Sequence, residues 1–441
     1  CTYLMKTKTI SILCAAAFAG TLCAENLTLV TGEDKALTAT GWKWSDTNMW
    51  TPTPSQVAGN NLTIDAVTTT EISSTIEDGF TAGNVRIDLA QNAKSGGSGG
   101  KGHFFIENQG HATFDSLTLN IDSPQWWGLY FAENTNGSLT INNDFTITPK
   151  GNNPFFLHFK NTDVKGNVNF TSNSYTNTRV LNTKGSSFSV GGVFNMIGTN
   201  SDSGARWSIH TAQNTIGGLK SETGQYRLDL QKNASIVFTN QADSSWTGGI
   251  TQNGGSKLSD KTLDIVMDSS ATKRQSLNLT AGTINDITIK GGEFSLVSAE
   301  ATTGKMTLDG GFYATADAST KFAEIDLASG GFIFDADALN GGFTVNTDNL
   351  TKSGENAIEI DFTGVSAADF ANTYNLIVAG AASGIDASDF VAKNLLGKAN
   401  FAWDSATNTL SVSFAAVPEP ATVAALLGLA ALGLAIARRR R

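Results

Sequence analysis

The sequence predicts an all-β chain whose body is a right-handed parallel β-helix, a solenoid closed by a C-terminal cap. Three observations lead there. Only 16% of the 441 residues are charged, and glycine alone accounts for 45, so turn formers and β-branched residues stand where helix formers would otherwise be. Short apolar–polar–apolar triplets then recur along the chain, among them Leu117-Thr-Leu119, Leu139-Thr-Ile141, Val168-Asn-Phe170, Phe188-Ser-Val190, Leu228-Asp-Leu230 and Leu277-Asn-Leu279. Their period of two is that of strands with one buried face. Late in the chain the triplets starting at 287, 306, 325 and 343 lie 19, 19 and 18 residues apart. Glycine pairs run in step with them at Gly291-Gly292, Gly310-Gly311, Gly330-Gly331 and Gly341-Gly342, each followed closely by a phenylalanine. A unit of this length can wind once round a parallel coil, with glycine supplying positive φ at the corners. Stacked antiparallel sandwiches are the competing all-β arrangement, and regular spacing suits them less well.

Taken in order, residues 1–24 resemble a Sec signal peptide that starts at Met5, with Lys6 and Lys8 as its charged region and Ile10 to Gly20 as its apolar one. Cleavage is expected after Ala19 or Ala24. The three cysteines lie at positions 1, 14 and 23, so no disulfide framework supports the body. Residues 25–65 are expected to form an N-terminal cap, rich in tryptophan at Trp42, Trp44 and Trp50. An open β-stack must cover its end with apolar bulk. This opening resembles that of autotransporter-like passenger domains, in which a Trp-rich turn closes the first rung of a β-helix.

The repeats are expected over 66–351 and a C-terminal β cap over 352–416. Within the cap, Ile358–Phe362 and Tyr374–Val378 read as strands. Ala367–Phe370 and Ala387–Leu396 read as short helical turns. Phe401–Trp403 and Leu410–Phe414 read as a hairpin about 404–408.

The last segment, 417–441, has three parts. Pro418 and Pro420 fix φ and lack an N–H, which holds Glu419 extended. Ala421 to Ala437, with Leu426, Leu429, Leu432 and Leu434, contains no charge and would span about 25 Å as a helix, the short end of what a bilayer needs. Arg438, Arg439, Arg440 and Arg441 supply the flank that the positive-inside bias places in the cytoplasm. The order Pro-Glu-Pro, short apolar helix, arginine cluster resembles the PEP-CTERM sorting signal, also called the ice-binding protein C-terminal domain. The resemblance implies recognition and cleavage by an exosortase, a membrane-embedded transpeptidase-like protease of Gram-negative bacteria. It also implies a single C-terminal transmembrane helix as a temporary inner-membrane anchor, a body exported to the periplasm, and a destination at the cell surface or beyond.

The sequence offers little chemistry elsewhere. Its four histidines, His103, His111, His158 and His210, form no HExxH and no helical i, i+4 pair, so no metal and no cofactor is expected. Gly97–Gly102 satisfies GxGxxG but leads into His103-Phe-Phe-Ile106, a strand, and so lacks the helix N-terminus that holds a pyrophosphate. Asp335 and Asp337 would share one face of a strand about 7 Å apart, a separation that paired-carboxylate glycoside hydrolysis tolerates. A solvated outer face accounts for the same pattern. Trp126 and Trp127 could stack on a sugar ring or pack in a loop. Net charge is −10, and without the six cations of the two termini 24 basic side chains face 40 acidic ones; nucleic acid is therefore excluded as a partner. The expectation is a non-enzymatic structural or adhesion-type envelope protein, with exopolysaccharide or surface glycans as further partners. A secreted carbohydrate-active or glycan-binding β-helix is the alternative.

Overall fold

The computed structural model describes residues 25–31, 42–52, 54–66, 72–90, 102–122, 127–133, 135–149, 155–171, 179–200, 205–224, 226–254, 256–298, 303–317, 319–416, 428–430, 432 and 438–439. Among the described residues the strands form one hydrogen-bonded network of 33 strands. Almost every pairing is parallel, and most strands bond to a later one about one repeat further along the chain. The all-β class is as expected.

Register explains the core. One column runs through Leu27, Leu62, Val85, Leu117, Phe145, Val168, Phe194 and Leu219, each in register with the next. A second holds Phe104, Leu129, Leu157, Leu181, Trp207, Leu228 and Ile250. A third holds Phe114, Ile141, Val164, Val190, Ile216, Phe238, Met267, Ile289, Leu308 and Leu327. All of these side chains are buried, each stabilising the fold by roughly 1.5–3 kcal/mol relative to exposure. Strand Phe145–Pro149 alternates buried and half-buried along its length, the period-2 pattern in its simplest form.

Polar side chains stack as well. The Asn61 carboxamide oxygen accepts from the Asn84 amide at 2.8 Å, and the Ser116 hydroxyl donates to the Asn84 side chain at 2.7 Å. Further along, Asn167 receives the Val193 amide at 2.8 Å while its own amide donates to Asp144 at 2.7 Å. Each corner thus satisfies the backbone of the next. The ladder of the first column ends at Leu219, and there a side chain substitutes for a strand. The Leu219 amide donates to Gln275 Oε1 at 2.9 Å, and Gln275 Nε2 donates to the Leu219 carbonyl at 2.9 Å. Gln275 is fully buried.

The two ends are closed differently. At the N-terminal end Trp42 and Trp44 stack with centroids 6.0 Å apart, Trp50 meets Trp44 edge-on at 6.4 Å, and Trp44 lies 5.8 Å from Phe114. Two of the three indole N–H groups are used, Trp44 donating to Ser74 and Trp50 to the Trp44 carbonyl, while the buried Trp42 indole nitrogen has no partner among the described residues. At the C-terminal end Thr373–Ser383 pairs in parallel with Val345–Lys352 but antiparallel with Thr409–Ala416, which in turn forms a hairpin with Gly397–Asp404. Reversing direction stops the parallel stack, and the edge strand carries exposed Lys398 and Asp404, which discourage further pairing. The hairpin matches expectation, with Trp403 opposite Leu410.

Several expected positions move. Leu117 and Leu139 are not successive turns of one column: Leu117 pairs with Phe145, and Leu139 pairs with Ala112 and Thr162. Two triplets on different faces of one turn mimic a repeat. Ile287, Met306 and Ile325 are in register as their spacing implies, but the next partner is Leu350, not Phe343. The displacement comes from helix α1 (Ala336–Asn340), inserted between the strands. Asp335 and Asp337 therefore do not lie on a strand face. Asp335 is the N-cap, its carboxylate accepting from the Ala338 amide at 2.9 Å, and Asp337 sits in the first turn where the helix dipole favours a negative charge. In the cap, Ala367–Ala371 is a 3₁₀ turn, but the second turn covers only Ala387–Asp389. Phe390–Lys393 continues as a strand, because Phe390 is buried in register with Ile358.

Replacing Gln275 with Ala should lower unfolding free energy by about 2–4 kcal/mol, because the buried amide and carbonyl of Leu219 lose their partners together. Urea denaturation of the exported body checks this, and a loss below about 0.5 kcal/mol would show that the side chain does not carry the seam.

Candidate functional site

Outward-pointing residues of the second column form a stripe that the alternation of each strand builds automatically. Phe105, Tyr130, His158, Asn182, Ser208, Asp229 and Thr251 follow one another in register. The first three are rings in contact, Phe105 stacked on Tyr130 at 4.7 Å and Tyr130 tilted against His158 at 4.4 Å. The next four are buried polar groups. Such burial is tolerated because the groups bond one another. His210 Nε2 lies 3.2 Å from Asn182 Oδ1 and 3.3 Å from the Ser208 hydroxyl. Asp229 accepts from the Gly254 amide at 3.1 Å and from Gln231 at 2.7 Å.

Beside the stripe, Glu133 pairs with Lys184, and the His158 Nδ1 atom stands 3.5 Å from its other oxygen. At that separation His158 and Glu133 interact by charge without a hydrogen bond. Glu133 reaches this position because buried Ala132 turns the chain at φ 56° immediately after strand Trp127–Phe131. Burial, and then the Lys184 ammonium, push His158 down to about 4, against the pull of Glu133. His210 is shifted down for the same first two reasons. The group is thus two neutral imidazoles around one ion pair near pH 7. Sequence reading missed it, although a signal existed. Glu133, His158, Lys184 and His210 are separated by 25, 26 and 26 residues, each close to the spacing between parallel partner strands, so residues far apart in sequence become neighbours.

The residues anticipated as sites fall as follows. Trp126 and the Trp127 side chain lie outside the described residues; the Trp127 backbone pairs with Gly102 and Phe155. Asp335 and Asp337 border a cavity of about 360 Å³ that also meets Arg274. Since Asp335 is committed to its helix cap and Arg274 to Glu293 at 2.8 Å, the two carboxylates do not act as a matched pair. Among the described residues no group of three His, Cys, Asp or Glu side chains is placed to hold a metal ion. The signal peptide at 1–24 lies outside the described residues, as do Pro418, Glu419, Pro420, Ala421, Leu426, Leu434, Ala437, Arg440 and Arg441. Leu429 and Leu432 are helical and exposed, and Arg438 and Arg439 are helical. The expected membrane span is not supported: among the described residues no helix is long and apolar enough to cross a membrane, since only fragments of 421–437 are described.

The cluster predicts a pH dependence. Between pH 6.5, the ordinary histidine value, and about 4 the unfolded chain binds a proton at His158 that the folded chain refuses. Stability should therefore be complete above 6.5 and fall as pH drops through that window, by on the order of 1–3 kcal/mol. His158→Gln should flatten the change in urea midpoint between pH 7 and pH 5, and an unaltered slope would contradict the assignment.

No curated protein and no solved structure matches the chain. One family model does, the PEP-CTERM protein-sorting motif, over residues 416–441. The match begins at the last residue of the final strand, Thr409–Ala416. The chain therefore carries, directly after its folded body, the signal of an exported protein sorted by an exosortase-dependent route.

Proposed function

We propose that this chain is a structural or adhesion-type protein of the cell envelope, non-enzymatic, whose body is a right-handed parallel β-helix. The sorting motif at 416–441 carries this conclusion. The coil interpretation is supported by the in-register parallel pairing described above, and right-handedness by the strong chiral preference of parallel crossover connections. Export exposes the body to the periplasm, and the apolar segment 421–437 anchors it in the inner membrane with the four arginines on the cytoplasmic side. The exosortase then recognises Pro418-Glu419-Pro420 and cuts near it, releasing the body to the surface.

The position of the motif supports this order of events. Pro418 is two residues past Ala416, so it lies within about 7 Å of the end of the final strand even when fully extended. The protease must work close against the C-terminal cap, and charged Lys398 and Asp404 on the neighbouring edge strand suit a cap that stays in water. A body stacked from repeated turns then offers a long lateral surface for contact with exopolysaccharide or surface glycans.

Replacing Pro418, Glu419 and Pro420 together with Ala should leave export intact and trap full-length protein in the inner membrane. Fractionation and immunoblotting of the producing bacterium distinguish the outcomes. Release of a trimmed body from the variant would overturn exosortase processing at this motif.

A further inference from the structure

The outer column beside the polar stripe changes character abruptly. In register it runs Phe156, Val180, Arg206, Arg227, Gly249 and Ala281. Two guanidinium side chains thus emerge from adjacent strands, whose backbones are about 4.8 Å apart. Like charges directly opposite one another are destabilising, and here they stand on a chain of net charge −10. Arg227 is half-buried, and both its burial and the neighbouring Arg206 act against its charge. The next two positions then carry almost no side chain, so the column falls from two long cations into a notch.

A hairpin forms the opposite wall. Thr251 and Gln252 pair antiparallel with Lys257 and Ser256, which requires a reversal through Asn253 at φ 48° and Gly254 at φ 86°. Asp229 pins the turn by accepting the Gly254 amide with both oxygens at 3.1 Å. Its carboxylate also attracts Arg227. The fold-back brings exposed Lys257 to the same cavity as Arg227, a space of about 440 Å³ edged by the hydroxyls of Thr251 and Thr280 and floored by Gly249 and Ala281. Arg206 leans toward the same turn, its Nη1 atom 3.8 Å from the place a side chain on Gly254 would occupy. Arg227 and Lys257 thus border one cavity, with the Asp229 carboxylate, which holds the hairpin backbone, beside Arg227.

We propose that this notch binds a saccharide bearing an oxyanion, its carboxylate or sulfate held by Arg227 and Lys257 and its ring lying on the Gly249–Ala281 floor. An incoming anion relieves the repulsion between the two guanidiniums, which fork-shaped donors bind with directional hydrogen bonds. The small floor admits a ring edge that any larger side chain would exclude. The Thr280 hydroxyl at the rim supplies a neutral partner that a sugar hydroxyl needs, whereas that of Thr251 donates to Asp229 at 3.2 Å. The choice of a saccharide over another anion rests on the envelope role proposed above. The sorting experiment examines only the tail, so either conclusion can fail without the other.

The test uses the exported body and isothermal titration with a uronic-acid tetrasaccharide, a sulfated disaccharide, neutral maltotetraose and sodium sulfate. At least one acidic sugar should bind measurably, weaken as salt is raised, and outcompete both maltotetraose and sodium sulfate; which one binds identifies the oxyanion. Arg227→Gln should weaken binding by about tenfold or more, the value of one charge-assisted contact. Lys257→Gln, at an exposed position that leaves the core untouched, should weaken it by a smaller factor. Failure of both acidic sugars to bind, equal affinity in the Lys257→Gln chain, or sodium sulfate binding as tightly as the sugars would overturn the proposal.

Discussion

Everything in this fold depends on parallel, in-register hydrogen bonding between a strand and its counterpart one turn later. Antiparallel hairpins pair residues whose positions differ, whereas this ladder places equivalent positions above one another. Whatever stands at a position therefore meets its own kind repeatedly. Leucine, isoleucine and phenylalanine columns gain from this, as the run from Phe114 to Leu327 illustrates. Carboxamides gain too, because one side chain can accept the amide of the next corner. Charges lose, yet like charges still meet in register at Asp65 with Asp88, Lys160 with Lys184 and Arg206 with Arg227.

A parallel in-register sheet of this kind has two vulnerable places, its seams and its ends. The seam at Leu219 is closed by the amide of Gln275, which imitates a missing strand with one donor and one acceptor. The N-terminal end is covered by three interlocked indoles with two of their N–H groups bonded internally. The C-terminal end instead reverses strand direction, and Phe362, Phe370 and Phe414 fill the space beneath the hairpin. The sorting motif follows that closed end directly. A body whose sorting motif begins at its last strand benefits from a terminus that no longer offers a parallel edge.

Local features were legible from residues alone. Period-2 triplets, the hairpin about 404–408 and the Pro-Glu-Pro tail each need only a few neighbouring positions to declare themselves. Register was legible only where turns had equal length, as for Ile287, Met306 and Ile325. It failed at Phe343, because the inserted helix changes the turn length without changing the strand pattern, and at Leu139, because one turn carries triplets on more than one face. The Glu133, His158, Lys184 and His210 cluster and the arginine notch were hidden for the same reason. Their members lie a full turn apart, and only the correct register makes them adjacent. The environment that suppresses His158 protonation is likewise a property of the stack and not of the residues flanking it.

The central claim is that the body is an open stack that lengthens by one strand spacing per turn. Thr140, Asp163, Ser189, Thr215, Val237, Val266 and Thr288 are successive register partners along one face. Positions 25–416 contain no cysteine, so nitroxide labels can be placed in pairs at Thr140 with Val237 and at Thr140 with Thr288. Double electron–electron resonance should give backbone separations of roughly 19 Å and 29 Å, a linear growth of about 4.8 Å per turn. A separation that fails to grow between the two pairs, as a sheet closed on itself would produce, would contradict the stack.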